Sequence, residues 1–87
     1  MMNDPFVVEQ AKLWGKRMLA AGPDDAARVR AAYALALSRE PSDAEQVTAS
    51  AFLTAQAKAH GEAQPGEKAW ADFCHALLNV KEFVFLN

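Results

Sequence analysis

Cys74, His75 and His60 are the residues on which nucleophilic or metal chemistry would have to rest in this 87-residue sequence. A thiol acts as a nucleophile when a base lies within hydrogen-bond reach, and imidazole is the usual base. Cys74 and His75 are sequence neighbours, so on a helix they project about 100° apart and cannot face each other. Catalysis would need His60 to approach Cys74 from another element; the plainer expectation is a buried structural thiol. One cysteine and two histidines lack the paired spacing of a zinc site, and no C-x-x-C-H run is present to attach haem. Gly61 and Gly66 are not followed by the G-K-[ST] of a phosphate loop. Asp72, between Trp70 and Phe73, is expected to face solvent or to pair with Lys68. The expectation is therefore no catalytic residue, no metal ligand and no cofactor site.

Composition narrows the remaining classes. The length suits one domain spanning residues 1–87, and a hydrophobic content of 52% argues against general disorder. Much of that content is alanine, which favours helices and close helix approach over a bulky core. A net charge of −2 supplies no basic face for phosphates, so nucleic acid is not expected as a partner. No apolar run nears the ~20 residues of a membrane-spanning helix. The first ten residues, which contain Asp4 and Glu9, do not read as a signal peptide.

The elements that would position any site are four helices, expected near residues 5–21, 24–38, 43–60 and 67–79. The first is announced by Asp4 as a cap and Pro5 at the first helical position, and ended by Gly22-Pro23. Val7, Ala11, Trp14, Met18 and Ala21 form its apolar stripe, and Gly15 within it marks a close helix crossing. Val29, Ala32, Tyr33, Ala36 and Leu37 give the second helix its stripe, and Pro41 stops it. Ser42 and Glu45 have the spacing of a capping box for the third helix, whose inward residues read as Val47, Ala51, Phe52, Ala55 and Ala59. After the polar loop 61–66, expected to be the most mobile segment, the fourth helix carries Trp70, Phe73 and Leu77 towards Asn79. Phe83, Val84, Phe85 and Leu86 then read as a short extended apolar tail and a candidate interaction surface. The fold class expected is an all-α, small four-helix bundle with that tail.

Three segments, in order, carry a family resemblance. Asn3 to Ala11 is similar to an NDPFV-x-EQA start, Arg30 to Pro41 to an R-x-x-Y-x-x-x-L-x-R-x-P middle, and Trp70 to Phe83 to a W-x-x-x-x-x-ALLN-x-x-EF close. Together they resemble the C-terminal region of large exported proteins of planctomycetes and related bacteria, which join domains of unknown function, often with a cytochrome-c-like domain. The resemblance implies a fragment of a larger, extracytoplasmic or periplasmic protein. It carries over no haem ligand, because that motif belongs to a separate domain.

The functional expectation is a non-catalytic structural or protein-interaction module. It would cap a larger envelope-associated protein, with the remainder of the parent, another chain or a second copy as partner. The alternative is a ligand-binding accessory domain of an exported enzyme, for carbohydrate or a haem-related ligand.

Overall fold

The computed structural model describes residues 4–86, with side chains through residue 79. Four helices follow in order: α1 (Pro5–Leu19), α2 (Asp25–Leu37), α3 (Asp43–His60) and α4 (Glu67–Leu86). Among the described residues there is no strand, and the all-α bundle expected from the sequence is what forms.

Local chemistry sets the helix ends. The Asp4 carboxylate accepts from the Phe6 N–H at 2.7 Å, with Pro5 beginning α1. Asp24 accepts from Ala27 N–H at 2.9 Å and starts α2. Ser42 and Glu45 close the capping box in both directions, at 3.1 and 2.8 Å. Each such cap satisfies a backbone donor that the first helical turn leaves orphaned. Gly61 ends α3 at φ +76°, a left-handed conformation in which glycine carries no Cβ penalty.

The loop 61–66 is tied down by one side chain. The Glu62 carboxylate accepts from the backbone N–H groups of Gly66, Lys68 and Ala69 at 3.1 to 3.2 Å, capping α4 from outside the helix. Desolvation would raise its pKa, but those three hydrogen bonds outweigh it and hold the carboxyl below its ordinary range.

The α4 helix is the central element, packed against each of the other three. Trp70, Leu53, Val29 and Cys74 are fully enclosed, and Phe73 meets Trp70 edge-on at 5.4 Å between ring centres. Small residues let the helices close around them: Ala11, Ala32, Ala36, Ala49, Ala57 and Ala69 are all buried.

Two expectations are corrected. The buried face of α3 is Ala49, Leu53 and Ala57, with Phe52 packed half-buried beside it as expected, while Val47, Ala51, Ala55 and Ala59 are exposed. Both sets repeat every four residues on an alanine-rich helix, so periodicity alone does not choose between them; Leu53, with more apolar area than any alanine, turns its own face inward. Second, α4 does not stop at Asn79 but continues through Phe83, Val84, Phe85 and Leu86, where an extended tail was expected. No glycine or proline follows Gly66, and aromatic and β-branched residues lower helix propensity by only tenths of a kcal/mol each.

Candidate functional site

A cleft of about 420 Å³ lies where α1, the end of α3 and the start of α4 converge. From α1 come Glu9, Lys12, Leu13 and Lys16; from α4 come Glu67, Lys68, Ala71 and Asp72; His60 closes it from α3. The two long walls are held together by the crossing at Gly15. An added Cβ there would lie 2.8 Å from the Ala71 backbone nitrogen and 3.0 Å from the Trp70 carbonyl carbon. Only glycine permits that approach, and the close crossing expected from the sequence is present.

His60 Nε2 and Asp72 Oδ2 stand 2.6 Å apart, each side chain about one-third exposed. The pair links α3 to α4, and it is where Asp72 goes in place of Lys68. Around it the charges alternate: Lys12 reaches Glu9 at 3.5 Å and Lys16 reaches Glu67 at 3.7 Å, both largely in solvent. Exposed pairs of this length contribute little stability.

An imidazole oriented by a carboxylate is the base-and-orienter half of a nucleophilic site. Among the described residues, the cleft lining contains no serine, threonine or cysteine. Cys74, two residues beyond Asp72 on α4, is fully buried, and desolvation pushes its thiol up to about 12. It is therefore un-ionised at neutral pH. Among the described residues, no three His, Cys, Asp or Glu side chains are arranged to hold a metal ion.

The sequence pointed to Phe83, Val84, Phe85 and Leu86 as an interaction surface; their side chains lie outside the described residues. The structure shows other apolar groups facing solvent. Phe6 is 69% exposed, Leu13 52%, Leu35 54% and Val47 70%. Phe6 and Leu13 share the outer face of α1. Leu35 borders a groove with Trp14 and Leu78, and Val47 borders one with Val29 and Ala26. The seven-residue spacing of Phe6 and Leu13 was the readable signal for the first pair. Nothing in the sequence marked Leu35 or Val47 as outward.

The α2–α3 corner shows how the remaining charge is used. The Arg39 guanidinium grips the Glu45 carboxylate with two hydrogen bonds, at 2.7 and 2.8 Å, and lies 5.5 Å from the Tyr33 ring centre. Its hydrogen bonds first, then the Ser42 backbone N–H, lower the Glu45 carboxyl from 4.5 to about 2. These groups fasten a turn and are committed to each other.

No helix among the described residues is long and apolar enough to cross a membrane. Residues 1–53 match the family model PSD1, described as a protein of unknown function (DUF1553). That match takes in α1, α2 and α3 as far as Leu53, leaving the His60–Asp72 pair and α4 beyond it. No curated protein and no solved structure matches the chain.

Proposed function

The chain belongs to the PSD1 family of proteins of unknown function (DUF1553), and on that premise we propose that it is a non-catalytic helical interaction module. In this reading it packs on the remainder of a larger, envelope-associated parent or on a partner chain. The observation that carries the reading is the outward placement of Phe6, Leu13, Leu35 and Val47 on a domain whose core is already filled. Single exposed apolar residues are ordinary, but two of these share one helix face and the other two border apolar grooves. Several polar side chains support the same reading, being engaged in caps, as Asp4, Asp24 and Ser42 are, or in pairs between elements, as His60–Asp72 and Arg39–Glu45 are.

The test is to express the chain and the rest of its parent as separate polypeptides and follow complex formation by size-exclusion chromatography. Leu35→Asp and Val47→Asp should leave the isolated domain folded by circular dichroism yet reduce complex formation at least tenfold. If both variants associate as the wild type does, those faces are not the contact surface, and the reading fails.

A ligand-binding accessory domain is the second reading, and the cleft beside His60 is the observation behind it. Carbohydrate recognition would use an aromatic platform, and none lines that cleft; a haem-related ligand would have to displace Asp72 from His60. Trp14, partly exposed on α1, is the fluorescence reporter for titrations of either ligand class.

A further inference from the structure

The groove between α1, α2 and α4 joins an apolar floor to a charge that no described residue balances. It encloses about 230 Å³ and is lined by Gln10, Trp14 and Arg17 of α1, Leu35 and Ala36 of α2, and Leu78 of α4. Gln10 and Arg17 are seven residues apart, so at 100° per residue they fall within about 20° of each other, with Trp14 between them on the same side of the helix. Arg17 is exposed and has no carboxylate within ion-pair distance among the described residues. No Asp or Glu is among the residues that line the groove. The other concave regions differ. The groove beside Val47 includes Asp25, which is paired with Arg28, and the cleft beside His60 sets Glu9, Glu67 and Asp72 against its cations. The Trp14 indole Nε1 is covered and has no acceptor among the described residues. Packing alone therefore holds the ring, which can turn its N–H towards an incoming acceptor without breaking a hydrogen bond.

We propose that this groove docks a segment of the larger parent protein that presents an apolar side chain beside an Asp or Glu. The proposal rests on the interaction-module reading and gives the chemistry of its partner. The apolar side chain would lie on Trp14, Ala36 and Leu78 and cover Leu35, which is 54% exposed. The carboxylate would take the two parallel hydrogen bonds that a guanidinium offers at Arg17. Gln10, exposed two turns away on the same side, is left to pair with the main chain of the segment. A basic segment would meet Arg17 with like charge, and a nucleic acid would need several cations where the groove has one. Tryptophan and arginine are also the side chains that most often dominate the energy of a protein–protein contact.

With the rest of the parent expressed separately, Arg17→Glu should weaken the complex at least tenfold and Arg17→Lys by no more than about threefold. Raising salt from about 0.1 to 0.5 M should weaken the wild type several-fold and leave Arg17→Gln nearly unaffected, because the pair that salt screens is then gone. Position 17 is exposed, so each variant should keep its helical circular dichroism. Random short peptides displayed on phage and selected on the 87-residue chain should carry Asp or Glu close in sequence to an apolar residue, and should lose binding to Arg17→Glu and to Leu35→Asp. An Arg17→Glu variant that binds the parent as the wild type does, or a selection that yields no such acidic-apolar peptides, overturns the proposal. If Arg17→Glu binds normally while Leu35→Asp and Val47→Asp still disrupt the complex, the interaction reading stands and only the acidic partner is wrong. If no parent complex forms, the parent is the wrong source, whatever peptides are selected.

Discussion

Gly15 and Ala71 bring α1 and α4 into backbone contact: a Cβ at position 15 would sit 2.8 Å from the Ala71 nitrogen, closer than Cβ atoms approach backbone. The atoms opposed to it belong to a helix, which cannot yield as the end of a flexible side chain can. Gly15→Ala would improve helix propensity by up to about 1 kcal/mol in an isolated helix. Here the overpacking should dominate, giving a net loss of about 1–3 kcal/mol in urea denaturation. A variant as stable as the wild type would mean that the two helices do not cross at this point.

Ser42 and Glu45 should show different signatures. Ser42→Ala removes one cap acceptor and should lower stability by about 1 kcal/mol at any pH where the protein is folded. Glu45 has a folded-state value of about 2 against an ordinary 4.5, so its contribution is fully present above pH 4.5 and is lost as pH falls towards 2. The stability difference between wild type and Glu45→Gln should accordingly be constant from pH 5 to 8 and shrink in acid. A difference that grows on acidification would contradict the Arg39–Glu45 geometry. Added salt should reduce it, because the pair is partly exposed.

Ser38 ends α2 at φ +56°, a left-handed backbone conformation in a residue with a side chain. Its N–H is satisfied by the Ala34 carbonyl at 3.1 Å, so the conformation is retained for the turn into α3. Ser38→Gly should relieve the strain and, after the greater freedom of glycine in the unfolded chain is subtracted, stabilise by roughly 0.5–1 kcal/mol. Thermal unfolding of the two proteins decides this; a lower melting temperature for the glycine variant would count against the assigned geometry.

Cys74 is enclosed, and desolvation pushes its thiol up to about 12. In native buffer at pH 8 it should react with iodoacetamide at least a hundredfold more slowly than in 6 M guanidinium, where it approaches an ordinary thiol. Fast native labelling would place it near the surface and revive it as a partner for the imidazole of His60.

The sequence by itself determined the four helices and the chemistry of three of their starts. Asp4, Asp24 and the Ser42–Glu45 box act over two or three residues, so a local reading suffices to place them. The stripe of α2 was equally legible, because Val29, Ala32, Tyr33 and Ala36 recur at three- and four-residue spacing and carry its two largest β-branched and aromatic side chains. On α3 the same reasoning placed Phe52 correctly against the core but chose the wrong alanines: alanine is compatible with either environment, and the nearby helices decided for the face of Leu53. The end of α4 was misjudged because an apolar run suits a strand or a helix until its surroundings are known. His60 and Asp72 are twelve residues apart on different helices, and Glu62 reaches across a loop to amides up to seven residues away. Those meetings depend on where whole helices lie, set by apolar burial and by the close approach at Gly15, which no local pattern encodes.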